Sequence, residues 1–336
     1  MTKRLFLKLQ SVLVTLLAFG APHGAYAADH CSDCHTAAPA QTTSSECARC
    51  HEHSPVPHVP AGAADGETPN RQSLPIPTVP GLPPGMIYPL YPAESRLGDQ
   101  PNAMVLIPAG VFYRGTDERL ADEGPRHSIE LPAYWIDQFE VTNFQYARFL
   151  REARRRGPDH FDNGEPPAGK ADHPVTFVSW FDADRYCRWA KKRLPTDQEW
   201  EKAARGADAR VFPWGNEFVM HAANTPVRWQ SLQQAGDTTP VGAFPAGQSP
   251  YGLFDMSGNV WEWTASWYTA YPGNTRPNEN YGEKYRTLKG GSWWDCSFYK
   301  CGISAPVYNR AFFNPRVQNA SFGFRCAKDE VESTNR

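Results

Sequence analysis

The chain has almost no excess of either charge. Its 34 Lys and Arg offset 36 Asp and Glu, leaving a formal net charge of −2 over 336 residues. Nothing in that balance would neutralise a phosphate backbone, which argues against a nucleic-acid partner. Long hydrophobic runs are also missing. A membrane-crossing helix needs roughly 20 apolar residues, and no stretch after residue 27 supplies them. The main part of the chain shows no internal repeat. Residues 28–59 hold almost no apolar side chains, so this segment cannot form a core by burying its own surface.

The beginning of the chain reads as an export signal. Lys3, Arg4 and Lys8 form a basic start, Val12 to Ala18 is a short apolar run, and Ala25-Tyr26-Ala27 fits a cleavage site. An uncleaved anchor is the alternative. Cleavage takes the remaining chain to −5 and implies a periplasmic location, where cysteines oxidise.

Four of the eight cysteines stand in Cys31-Ser32-Asp33-Cys34-His35 and Cys47-Ala48-Arg49-Cys50-His51. Cys-x-x-Cys-His is the attachment pattern of c-type haem. Two thiols add to the vinyl groups of one porphyrin edge, and the following His35 or His51 ligates the iron. A four-thiolate zinc site is the rival reading, but it leaves the two histidines without a role. The expectation is two covalent haems, with His30, His53 and His58 as nearby distal ligands and Met86 as a remote one. Surroundings rich in His favour bis-His ligation and lower potentials. The haems would then be the core of this segment.

Eleven prolines between Ser54 and Pro92 read as an extended spacer. Beyond it, Met104 to Gly115 is a strand interrupted by a Pro-x-Gly turn, and Asp122 to His127 is a polar loop. Thr142 caps a helix with Phe144, Ala147, Phe149 and Leu150 on its apolar face. Arg151, Arg154, Arg155 and Arg156 form its solvated end. Val175 to Val178 reads as a short strand. Ser179 caps a second helix, from Trp180 to about Lys192. Thr196 and Glu199 form a capping box for a third helix that stops at Gly206. From Phe212 onward the periodicity is poor.

The remaining cysteines are Cys187, Cys296, Cys301 and Cys326. Cys296 and Cys301 follow Gly290-Gly291-Ser292-Trp293-Trp294-Asp295. A pair this close can form a disulfide, carry redox chemistry or hold a soft metal; thiolates select Cu(I), zinc or iron–sulfur over hard ions.

The Gly-Gly-Ser-Trp stretch, Gly258-Asn259-Val260-Trp261-Glu262-Trp263 upstream, Leu194-Pro195-Thr196 with Glu199-Trp200-Glu201, and Gly323-Phe324-Arg325-Cys326 together resemble the formylglycine-generating enzyme (sulfatase-modifying factor) superfamily. The resemblance runs from about Met104 to Ala327. It implies an α+β, loop-rich, C-type-lectin-like fold. It implies a Cu(I) site at Cys296 and Cys301, with Ser292 and Trp261 beside it, that oxidises a substrate cysteine. It pairs Cys187 with Cys326 in a disulfide. It also implies a calcium loop with the Asp255 and Glu262 side chains and the Gly258 and Val260 carbonyls as ligands. His127, in the family's pattern, is a structural loop residue.

This chain departs from the pattern at several points. One extra residue separates Ser292 from Cys296. Gly302 to Pro306 replaces a basic run, Ser321 stands in place of an asparagine, and a loop near Asp237 is shortened. The expected organisation is a signal peptide over 1–27, a dihaem segment over 28–60, a Pro-rich linker over 61–101, the family domain over 102–328, and a polar tail over 329–336. Two functions compete. One is an exported copper-dependent oxidase acting on a protein cysteine with electrons from the haems. The other is a non-catalytic electron-transfer protein that accompanies a periplasmic respiratory or copper enzyme such as nitrite reductase. A non-haem iron sulfoxide synthase would need a separate His-bearing helical domain, which the chain lacks.

Overall fold

A computed structural model of the chain describes residues 95–294, 296–297, 300–301 and 305–330. The haem motifs, their distal candidates His30, His53, His58 and Met86, the export signal and the Pro-rich stretch lie outside the described residues. Ser95 is the first described residue. Its hydroxyl donates to Asp172, as does the Arg96 amide at 2.7 Å.

Three helices begin where the side-chain caps put them. Thr142, Ser179 and Thr196 each accept a bond from the backbone amide three residues on, and Gln145, Asp182 and Glu199 return the bond. Each exchange satisfies two otherwise unpaired amides. The helices are α1 (Asn143–Ala153), α2 (Trp180–Trp189) and α3 (Asp197–Arg205), with a short α4 (Pro226–Ser231). α1 ends at Arg154 in the left-handed conformation, and α3 ends at Gly206.

Among the described residues the strands form four small sheets. β1 (Met104–Ile107), β4 (Tyr134–Asp137) and β11 (Ala327–Asp329) form an antiparallel trio with β4 in the middle. β2 (Gly110–Arg114) pairs with β3 (His127–Leu131). β5 (Trp261–Trp267), β6 (Arg286–Lys289), β9 (Ala311–Phe313) and β10 (Phe322–Gly323) form the largest sheet, in the order β10-β5-β6-β9. β7 (Cys296–Ser297) and β8 (Lys300–Cys301) form a ribbon. Among the described residues no helix is long and apolar enough to cross a membrane.

Two apolar clusters fill the interior. One joins α1 and α2 to the largest sheet through Tyr146, Phe149, Tyr186, Trp263, Phe322 and Phe324. The other packs α3, through Trp200, Ala203 and Ala204, against Ile107, Tyr134 and Ile136. Burial of this kind contributes about 25 cal/mol per Å² of apolar surface.

One expectation from the sequence is corrected. Val175–Val178 is not a strand. Val175 donates to the Val141 carbonyl, but Phe177 turns left-handed at φ 55° and breaks the extension. The polar loop at Asp122–His127 turns inward at its start. Ala121–Glu123 is a 3-10 turn with Asp122 and Glu123 buried, and Tyr268 Oη donates to Asp122 at 2.6 Å. His127 opens β3 and meets the Tyr271 ring edge-on.

Cys187 on α2 and Cys326, just before β11, are joined by a disulfide across 139 residues of chain. In the chain-entropy account a loop this long contributes about 4–5 kcal/mol. Cys187→Ala is expected to lower the unfolding free energy by that amount in urea titration, with the native near-ultraviolet dichroism kept at low denaturant.

Candidate functional site

The site is built where two loops meet. The Gly258 amide donates to the Gly290 carbonyl at 2.8 Å, and the Trp293 amide donates to the Asn259 carbonyl at 2.9 Å. These two bonds fasten the turn before the cysteine ribbon to the loop that leads into β5. Glycine is required on both sides. Gly258 has φ 83°, and a Cβ there would lie 2.3 Å from the Asn224 carbonyl. Gly290 has φ 99°, with the Trp200 ring 3.2 Å from where a Cβ would stand.

Asn259 is the hub. It is fully buried in the left-handed region at φ 60°. Its Oδ1 accepts from the Thr239 amide at 3.0 Å and from Asn224 Nδ2 at 3.1 Å. Its Nδ2 donates to Glu140 at 3.1 Å. Asn224 Oδ1 accepts from the Trp229 indole at 2.6 Å. A buried hydrogen-bond network of this kind favours one arrangement of its loops.

Ser292 is buried and its hydroxyl is used locally. It donates to the Trp294 carbonyl at 2.7 Å and accepts from the Trp294 amide at 3.2 Å. Ser292 and Trp294 are therefore held in a tight serine turn. Trp293 goes inward against Gly236 and Trp229, while Trp294 is 41% exposed. Trp261 is buried in the larger apolar cluster, and its amide donates to the Ser321 carbonyl. Cys296 and Cys301 are register partners in the antiparallel β7–β8 ribbon. Their Cα atoms face one another across the ladder, at a spacing of about 4.5–5.5 Å for such pairs.

The expected calcium donors are used otherwise. Both Glu262 oxygens accept from Arg325, at 2.7 Å each, and one also accepts from the Trp200 indole at 2.8 Å. Glu262 and Arg325 are fully buried. Asp255 accepts from the Gly242 amide at 2.6 Å and lies against Glu140. Burial and the neighbouring carboxylates outweigh Arg325, pushing Asp255 up to about 6 and Glu140 well above its usual range. Calcium takes six to eight oxygens. Among the described residues no three acidic, His or Cys side chains gather to hold a metal. The set Asp255, Gly258, Val260 and Glu262 does not fit the ion, because Arg325 supplies the positive charge at Glu262.

A second buried network supports the turn from below. Lys289, next to Gly290, contacts Glu201 at 3.1 Å, and Arg205 contacts it at 3.0 Å. Burial alone would raise Glu201, but Lys289, Arg205 and Arg114 bring it down to about 2. Sequence reasoning passed over Glu140 and Lys289, and it named Glu201 and Arg325 only as motif residues, with no role. Their signal was a charge inside an otherwise apolar stretch, as in Phe139-Glu140-Val141 and Leu288-Lys289-Gly290.

The fold and this site define a loop-rich α+β domain with a disulfide-closed frame and a cysteine ribbon behind a Gly-Gly-Ser turn. The profile of the Sulfatase-modifying factor enzyme 1-like domain matches residues 92–330, and the chain belongs to that family. It is similar to the formylglycine-generating enzyme of Bos taurus, 33% identical over 294 residues, covering 70% of this chain and 76% of that protein. The formylglycine-generating enzyme of Thermomonospora curvata is 33% identical over 293 residues, covering 68% of this chain and 94% of that protein. The inactive C-alpha-formylglycine-generating enzyme 2 of Mus musculus is 35% identical over 279 residues, covering 68% and 86%. Among solved structures, PvdO from Pseudomonas aeruginosa superposes with a TM-score of 0.54 at 26% identity, covering 68% of this chain and 94% of that one.

Two outcomes follow from these networks. Arg325→Met leaves Glu262 buried without its counter-ion, which costs about 3–5 kcal/mol. Urea unfolding should register that loss equally in calcium and in chelator, and a loss confined to calcium would restore the ion to this loop. The second outcome concerns His173, which burial and Lys170 push down to about 4 from 6.5. The unfolded chain then takes up a proton that the folded chain does not. This group's contribution to stability is full above about pH 6.5 and is lost as the pH falls toward 4. His173→Gln should flatten the melting temperature across that window.

Proposed function

We propose that the chain is an exported redox protein in which the family domain acts on a protein cysteine at Cys296 and Cys301, with two c-type haems as the source of electrons. The observation that carries this reading is the register pairing of Cys296 with Cys301 directly behind the Ser292 turn. The names of the relatives from Bos taurus and Thermomonospora curvata support the reaction type.

Two cysteines opposite each other on a ribbon are a soft donor set that fits Cu(I), and a substrate thiolate would complete it. Bound Cu(I) would supply the oxygen-dependent chemistry that oxidises the substrate cysteine. The residues of the chain do the positioning. The Ser292 turn fixes where the ribbon starts. Trp293, wedged against Gly236, closes the inner side. The Cys31-x-x-Cys34-His35 and Cys47-x-x-Cys50-His51 motifs would hold haem close by, and a tether keeps the local concentration of the donor high.

The accessory reading has its own support. The chain is 35% identical to a relative named as inactive, and it carries one residue more than the family spacing between Ser292 and Cys296. In that reading Cys296 and Cys301 form a permanent disulfide and the domain binds a partner enzyme.

Titration of reduced protein with Cu(I) against a competing chelator separates the two. Tight uptake by the wild type, lost in Cys296→Ser and in Cys301→Ser with haem content unchanged, is expected for the enzyme. Equal weak uptake by all three leaves the accessory role. Haem is read independently. A denaturing gel stained for peroxidase activity should stay coloured, and the mass should exceed that of the chain by two haems. A colourless protein carrying one zinc would overturn the haem assignment.

A further inference from the structure

The buried network that carries Lys289 holds more positive charge than negative. Asp197 Oδ2 contacts Arg114 at 2.5 Å and Arg310 at 3.6 Å. Glu201 contacts Arg205 at 3.0 Å and Lys289 at 3.1 Å. All six side chains are at most 7% exposed. Both carboxylates also serve neutral donors. Asp197 Oδ1 accepts from the Ser266 hydroxyl at 3.1 Å, and Glu201 accepts from the Gly115 amide at 2.7 Å.

One more acid stands nearby. Asp122 accepts from the Tyr268 hydroxyl at 2.6 Å. Arg310 lies over the Tyr268 ring and donates to the Asp122 carbonyl at 3.0 Å. Among the described residues, the four cations Arg114, Arg205, Lys289 and Arg310 face the three carboxylates Asp122, Asp197 and Glu201. One positive charge is left over. A buried charge is costly unless it is paired and hydrogen-bonded.

The surplus has a place. Arg114 and Tyr271 are 6% and 3% exposed. The Tyr271 ring packs against two guanidinium groups, with Arg114 Cζ 4.0 Å and Arg310 Cζ 4.2 Å from its centroid. Among the described residues Arg114 Nε is buried with no hydrogen-bond partner. The Tyr271 hydroxyl lies against the Arg114 guanidinium, but it makes no hydrogen bond of good geometry. Two donors on adjoining side chains thus stand unused, and an arginine Nε can only donate. His127, the register partner of Arg114, meets the Tyr271 ring edge-on and is half-buried, so the cluster lies close to solvent. A single unit of surplus charge calls for a monovalent ion. Two buried donors call for a small one that accepts hydrogen bonds and has none to give.

We infer that Arg114 and Tyr271 bind a small monovalent anion of the chloride type, held by the Arg114 Nε–H and the Tyr271 hydroxyl. The ion completes the charge of the network that carries Lys289, the residue before Gly290. This holds whether or not the cysteine ribbon binds copper.

Thermal unfolding of the full-length chain tests it, with sodium gluconate exchanged for sodium chloride at constant ionic strength. An ion bound only by the folded state raises the melting temperature with the logarithm of its concentration, once that exceeds the dissociation constant. The wild type should show this rise, and bromide should substitute for chloride. Tyr271→Phe keeps the ring and removes only the hydroxyl, so the fold is retained. Its curve should shift to at least about tenfold higher chloride, the worth of one hydrogen bond to a charged group. Arg114→Met removes the surplus charge, leaves Asp197 to Arg310, and should abolish the chloride response. A parallel rise in all three proteins is a general salt effect and would overturn the inference. No rise in the wild type would overturn it as well. A water would then join Arg114 to Tyr271, and Lys289, which burial holds below its usual range, would shed the surplus charge.

Discussion

The ion pair of Arg325 with Glu262 is the contact on which the rest of the domain depends. Its guanidinium reaches five acceptors: both Glu262 oxygens and the carbonyls of Asp137, Gln138 and Phe254. Through them it joins β5, the end of β4, the loop before Asn259 and the segment between β10 and β11. Trp200 brings α3 to the same carboxylate. A buried pair is costly to desolvate and is strongly destabilising to break. Here it has one arrangement that satisfies every partner, so it specifies how the two apolar clusters meet.

From that anchor the site follows in steps. The disulfide at Cys326 is one residue beyond Arg325, so α2 is fixed relative to the same segment. β5 leads back to Asn259, whose side chain collects Thr239, Asn224 and Glu140 and whose carbonyl holds Trp293. Lys289, paired with Glu201 under the turn, carries the chain through Gly290 and Gly291 to Ser292. Ser292, shortly before the cysteine ribbon, thus stands at the end of a chain of buried polar contacts. A site whose supporting bonds are preformed can hold its geometry without reorganising when it reacts.

Much of the frame was legible in the sequence because its signals are local. Thr142, Ser179 and Thr196 announce their helices by the residue three positions on. The Gly-Gly-Ser turn is marked by glycines that a left-handed backbone requires. Local rules failed where a partner distant in sequence decides the outcome. Val175–Val178 has strand composition, but an Asn319 contact holds Phe177 in a left-handed turn. Asp122 and Glu123 read only as part of a polar loop, and their burial depends on Tyr268 and the packing of a distant loop. The family resemblance implied Glu262 as a calcium ligand, and Arg325, 63 residues later, takes both of its oxygens. The pairing of Cys187 with Cys326 came from family resemblance, since no local pattern links residues 139 apart.

The central claim is that Cys296 and Cys301 act as a metal-holding thiolate pair set by this frame. X-ray absorption at the copper edge, on reduced protein loaded with one equivalent of Cu(I), addresses it most directly. The account requires a first shell of two sulfurs at a short Cu–S distance, lost in Cys296→Ser and in Cys301→Ser. A shell of nitrogen or oxygen atoms unchanged by either substitution would contradict it.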